Sequence, residues 1–128
     1  MGFFSNLRAA RDTGFAVEFV KKQLDLEASL SAFHGNTKEL AHSLVIDLWS
    51  KTPELAQQKA SPKSVLLAAA ALAHGVKLLD GAGKKDVADF LFRCLRASLS
   101  MDVIKLVDST NLSPIDAKLW NIATSVFE

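Results

Sequence analysis

Glu39 and His42 stand three residues apart in Glu39-Leu40-Ala41-His42, a Glu-x-x-His spacing that on a helix turns a carboxylate and an imidazole to one side. Carboxylate-bridged two-metal centres use that pair on two helices, together with a glutamate from each of two more. The chain carries no second copy, because Ala71 holds the matching position before His74. No metal site is expected, and both residues are assigned to a solvated face. His74 is the one titratable side chain inside a long apolar stretch, beside Leu67, Ala70, Ala71 and Leu78 at helical spacing. A buried imidazole needs a hydrogen-bond partner. It is the candidate cofactor-binding residue, a pocket or haem-axial histidine, with a hydrogen-bonded structural residue as the competing reading.

Cys94 is the only cysteine, which excludes an intrachain disulfide and a multi-cysteine metal site. Set among Phe90, Leu91 and Leu95, it reads as a small buried hydrophobe rather than a catalytic thiolate. A lone thiol and the absence of a long apolar leader in MGFFSNLRAARD point to a reducing cytoplasm. His34 and Gly35 suit a helix end, the imidazole meeting the dipole and the glycine taking a left-handed cap. Gly81-Ala82-Gly83 lacks the third glycine and the preceding strand of a dinucleotide loop, and there is no Gly-x-Ser-x-Gly or phosphate-binding loop. Nothing in the residue types argues for an enzyme, and no cofactor is expected.

Those residues have to be positioned by helices. Ser61-Pro62 opens, and Asp80-Gly81 closes, a stretch containing Val65-Leu66-Leu67-Ala68-Ala69-Ala70-Ala71-Leu72-Ala73. A helix apolar on every side is buried by protein or by lipid. The uninterrupted run is under half of the roughly 20 residues a span requires, and Lys63, His74 and Lys77 bracket it. The expectation is a central core helix over about residues 62–79. Thr52-Pro53, Ser61-Pro62 and Ser113-Pro114 each set a hydroxyl N-cap before a proline, and Asn36 or Thr37 serves a fourth start ahead of Glu39. Asp12 or Thr13 is a candidate cap for the N-terminal helix.

Apolar residues recur at helical spacing along the rest of the chain. The expected stripes are Phe15, Phe19, Val20, Leu24 and Leu30; then Leu40, Ala41, Leu44, Val45, Leu48 and Trp49. A short helix should cover about 53–59. Further on come Val87, Ala88, Phe90, Leu91, Cys94, Leu95, Ser98 and Leu99; a shorter element with Val103, Ile104, Leu106 and Val107; and Ile115, Leu119, Ile122, Ala123 and Val126. No segment alternates as a strand does. Glu18–Lys22, Asp47–Lys51 and Asp89–Arg93 mark solvated faces. The fold class is therefore all-α: a compact single-domain bundle of five to seven helices over residues 1–128, packed around the central helix.

Composition narrows function by exclusion. Of 128 residues 49% are hydrophobic, enough for a self-sufficient core. Net charge is +1 and mixed along the chain, Arg8, Arg11, Lys21, Lys22 and Lys38 being matched by Asp12, Glu18, Asp25, Glu27 and Glu39, so nucleic-acid binding is disfavoured. The expected function is a non-enzymatic cytoplasmic interaction domain: an adaptor, an inhibitor-type partner or a homo-oligomer binding another protein or itself. Phe3, Phe4, Trp49, Phe92, Trp120 and Phe127 are its candidate partner-binding residues, since aromatics are favoured anchors. The alternative is a small-molecule or cofactor-binding bundle with a pocket near His74. A weaker alternative is peripheral membrane association through residues 1–11, where Phe3, Phe4 and Leu7 sit beside Arg8 and Arg11.

Overall fold

The computed structural model describes residues 3–57, 62–100, 103–105, 107 and 111–127; the side chains of residues 3–10, 56 and 57 lie outside that description. The described elements are α1 (Phe3–Ala28), α2 (Thr37–Lys51), α3 (Pro53–Gln57), α4 (Ser64–Gly81), α5 (Lys85–Ser98) and α6 (Pro114–Thr124), closed by a 3-10 turn at Ser125–Phe127. Residues 103–105 are also helical. Among the described residues there is no strand, and the architecture is an all-α bundle built around its apolar helix.

α4 is that helix. Leu66 through Ala73 are each completely buried, with α1, α2, α5 and α6 packed around them. Alanine side chains let neighbouring helices approach from several directions at once. Gly75 carries the approach furthest: a Cβ placed there would lie 2.5 Å from Leu44 Cδ2 of α2 and 2.9 Å from Leu91 Cδ1 of α5. Ser64–Gly81 is, among the described residues, one helix long and apolar enough to cross a membrane, yet half of it is covered by the protein itself.

The start of α4 differs from the expected one, while its last residue, Gly81, falls where Asp80-Gly81 set the close. Ser61 lies outside the described residues, and the residue at the cap is Lys63, whose side chain makes no cap hydrogen bond. The cap comes from a distant element instead. Asp116 of α6 accepts a hydrogen bond from the Lys63 backbone N–H at 2.9 Å. At the other end, the left-handed residue is Gly83, φ 78°. Gly83 N–H donates to the Asp80 carbonyl and Lys84 N–H to the Leu79 carbonyl, the paired bonds of a Schellman ending.

α2 and α6 start as the hydroxyl and amide caps predict. Asn36 Oδ1 accepts from Glu39 N–H at 3.1 Å, and Ser113 Oγ accepts from Asp116 N–H at 3.2 Å. The buried faces of α2 (Ala41, Leu44, Val45, Leu48) and α5 (Ala88, Phe90, Leu91, Cys94, Leu95, Ser98) are the expected stripes. In α6, Ile115, Leu119 and Ala123 are buried, with Ile122 and Val126 half-buried against the core.

α1 departs from expectation twice. It does not start at Asp12 or Thr13; it runs through them for 26 residues, about 39 Å at 1.5 Å per residue. Leu7, Arg8, Ala9, Ala10 and Arg11 carry no breaker, and good helix formers extend a helix that packing has already nucleated. Its buried face is Ala16, Val17, Val20 and Leu24, with Phe19 packed alongside, while Phe15 and Leu30 of the expected stripe are 59% and 83% exposed. Gly35, expected in the left-handed region, is not there. The Phe33 ring covers it, leaving no room for a Cβ. That ring stacks on Phe90 of α5, centroids 4.4 Å apart, and so pins the α1–α2 connection to the bundle.

Candidate functional site

His74 emerges from α4 on the side facing α2 and meets Asp47. Nε2 lies 2.5 Å from Asp47 Oδ2, and Lys51 Nζ reaches the same oxygen at 3.5 Å. The His74 side chain is 19% exposed. The hydrogen bond from His74 holds the Asp47 carboxyl below its ordinary value, against burial, which raises it; the Lys51 charge adds to the lowering. Asp47 is thus ionised, shared between a ring nitrogen and an ammonium, and joins α2 to α4. None of the cavities described below is lined by His74.

The sign of the pH effect follows. A carboxyl lowered by folding contributes stability that is full above the ordinary carboxylate range and is lost as pH falls through the folded value. Asp47→Asn is expected to lower stability at neutral pH by on the order of 1 kcal/mol, given the partial exposure of the pair. Urea titrations at stepped pH should show the variant and parent curves converging in acid. Parallel curves down to pH 2 would refute the assignment. Asp25, lowered by hydrogen bonds from Lys21 and Thr37, and Glu54, lowered by Lys118, respond to acid in both proteins alike.

Cys94 is completely buried, and its thiol faces the Gln23 carbonyl of α1 at 3.8 Å. Burial pushes it up to about 12, with the Glu27 charge adding to the shift. Thiolate is the reactive form, so a thiol reagent at pH 8 should label the folded chain only at the rate of its unfolding, and fully in denaturant. Rapid labelling of native protein would contradict this burial.

Glu39 and His42 are both exposed, and among the described residues no group of three metal-ligating side chains gathers. Of the candidate partner residues, Trp49 and Trp120 are half-buried against the core. Phe92 packs on Phe127 at 5.2 Å between centroids, and Phe127 remains 46% exposed. Phe3 and Phe4 belong to the backbone of α1, but their side chains are outside the described residues, as are residues 1 and 2 of the candidate membrane segment. Among the described side chains of this set, Phe92 and Phe127 are in ring contact.

Several concave regions form among the described residues. One, about 760 Å³, lies between the residue 30–35 connection and α5, with Leu30, Phe33, His34, Asp86, Asp89 and Arg93 on its walls. Another, about 570 Å³, is a groove between α1 and α2, formed by Thr13, Gly14, Val17 and Glu18 on one side and His42, Ile46 and Trp49 on the other. On α2 those positions fall at i, i+4 and i+7, a single helix face. Trp49 Nε1 is shut off from solvent and has no acceptor, alone in this among the buried side-chain atoms of the described residues. Trp49, His42 and Thr13 stood out in the sequence for other reasons, whereas Val17 and Ile46 did not. Gly14, in the interior of a helix, was the one local sign of the groove.

No family model, curated protein or solved structure matches this chain.

Proposed function

We propose that this protein is a non-enzymatic cytoplasmic interaction domain, and that a partner protein docks on the outward face of α1. The observation that carries the reading is the pair Phe15 and Leu26, 59% and 63% exposed. They are eleven residues apart, three helical turns, and so project from one face of α1. Leu30, 83% exposed, continues the apolar surface past the helix end. Exposed large apolar side chains on one face are the kind of anchor a partner chain covers, and their exposure supports the reading. Lys22, also exposed, stands on the same face between Phe15 and Leu26, with Glu18 to one side, so the surface mixes apolar anchors with charge.

The non-enzymatic part is supported by how the reactive groups are engaged. His74 is paired with Asp47, Cys94 is shut in beside a carbonyl, Asp116 caps α4, and Glu54 is bound to Lys118 at 2.7 Å. Each joins two elements of the fold. The partner tested most directly is a second copy of the chain. Light scattering at rising concentration should give a mass above the 13.9 kDa of one chain. The double variant Phe15→Asp, Leu26→Asp, altered only on the surface, should return that mass to a single chain with its helical circular dichroism unchanged. A single-chain mass for both proteins would overturn self-association through α1.

A further inference from the structure

We infer that the partner on the outward face of α1 is a second copy of this chain, bound with its own α1 antiparallel to the first. The inference rests on the docking reading above and adds the occupant and its register. α1 turns Ala16, Val17, Val20 and Leu24 to the bundle, against α2, α4 and α5. At about 100° per residue, Phe15, Lys22 and Leu26 point the opposite way, with Glu18 beside them. All four are exposed, so no described part of the chain covers that side.

The charges select the occupant. Glu18 and Lys22 are four residues apart, the spacing of an ion pair along a helix. Among the described residues neither makes one, although the neighbouring Lys21 and Asp25 pair at 2.8 Å. The face therefore offers one uncommitted carboxylate and one uncommitted ammonium between two apolar anchors. A surface that carries both halves of its contact is complementary to itself, which is what a two-fold interface requires.

Orientation follows from the spacing. In two antiparallel helices, a step forward along one is a step back along the other. Setting Phe15 against Leu26 of the second copy also sets Leu26 against Phe15 of the second copy. Glu18 then falls within one residue, about 1.5 Å of rise, of Lys22 of the second copy. One set of four residues thus makes two apolar contacts and two ion pairs. A parallel pairing sets Glu18 against Glu18 and Lys22 against Lys22, like charges opposed at both places. One helix from each copy supplies the contact, so the dimer belongs to the small, reversible class of interfaces.

The test is sedimentation equilibrium of the full chain over a concentration series at low salt. The parent should show a reversible step from one chain to two. Glu18→Lys and Lys22→Glu, each alone, should weaken the dimer by about tenfold, since the two-fold axis repeats each repulsion. The double swap Glu18→Lys, Lys22→Glu rebuilds both pairs in reverse and should recover the parental dimer. Disulfide trapping reads the orientation. Chains carrying Glu18→Cys and chains carrying Lys22→Cys, oxidised together, should join to each other faster than either joins to itself, Cys94 staying closed in the core. A parent that remains a single chain throughout would overturn the second copy as occupant, with the docking face left for a different protein. A double swap no better than the single variants, or Glu18→Cys chains that join to themselves as fast as to Lys22→Cys chains, would overturn the antiparallel register. A dimer that survives Phe15→Asp, Leu26→Asp would remove both the register and the docking face it rests on.

Discussion

Gly75→Val lowers stability by about 3 kcal/mol, the upper end of what overpacking a filled core costs. The reason is the meeting of three helices at one missing side chain. A Cβ at Gly75 would sit 2.5 Å from Leu44 Cδ2 and 2.9 Å from Leu91 Cδ1. Both leucines are buried, at 3% and 0% exposure, so neither can swing into solvent. Gly75→Ala brings two opposing effects: a gain of about 1 kcal/mol in helix propensity and displacement of both leucine tips. Alanine should therefore be mildly destabilising, and valine, with two further methyl groups, severely so. The check is a shift in the urea midpoint with the slope preserved. Leu44→Ala alone removes buried contacts and costs about 2–5 kcal/mol. In the Gly75→Val background it also frees the space that valine needs, so the double variant should be more stable than the sum of the singles predicts by at least about 1 kcal/mol. Additive single effects would show that Gly75 and Leu44 do not share that space.

Gly75 also shows which parts of the fold were legible in the chain. The stripe of α5 was read directly because its outer face is Lys85, Asp86, Asp89, Arg93 and Arg96, leaving a single apolar side. α4 was legible for the opposite reason: apolar on all sides, it had to be central. α1 misled because it carries two apolar faces. Phe15 and Leu26 lie on one, Ala16, Val17, Val20 and Leu24 on the other. Periodicity identifies apolar faces, but only the neighbouring helices decide which is covered, and here the smaller side chains allow the closer approach. The expected stripe held at Phe19, Val20 and Leu24 and failed at Phe15 and Leu30.

The site was less legible than the fold because its features depend on pairs of elements. His74 stood out in its apolar setting, but its partner Asp47 is 27 residues earlier on another helix. The groove is a gap between α1 and α2, and a gap has no residue type; only Gly14, unfavourable in a helix and unexplained by packing, left a local trace. Trp49 fitted the α2 stripe as an ordinary core residue, which it half is. What distinguishes it is the lack of an acceptor for one nitrogen, a property of everything around it. Gly35 followed the same pattern. Its position after a helix suggested a left-handed cap, whereas its need for glycine comes from the Phe33 ring folded over it.

The cap of α4 is the clearest case of a long-range requirement, and it carries the second large effect: Asp116→Ala costs about 3 kcal/mol. Asp116 is 4% exposed. Its Oδ1 accepts from Lys63 N–H, 53 residues away, while its own N–H donates to Ser113 Oγ. One carboxylate thus stands near the N-termini of both α4 and α6, where helix dipoles favour negative charge. Alanine strands the Lys63 donor, at about 1–3 kcal/mol for a buried unsatisfied group, and removes a charge worth about 1 kcal/mol at a helix start. Asn keeps an acceptor of nearly the same shape and should lose only the charge, so Asp116→Asn is expected to cost about 1 kcal/mol. Ser113→Ala removes only the local cap of α6 and should cost a similar amount, about 1 kcal/mol. Amide exchange separates the two ends. Asp116→Ala should speed exchange at Lys63 and in the first turn of α4, whereas Ser113→Ala should act first at Asp116. If Asp116→Ala and Asp116→Asn were equally destabilising, the bond to Lys63 would not be what joins α6 to the central helix.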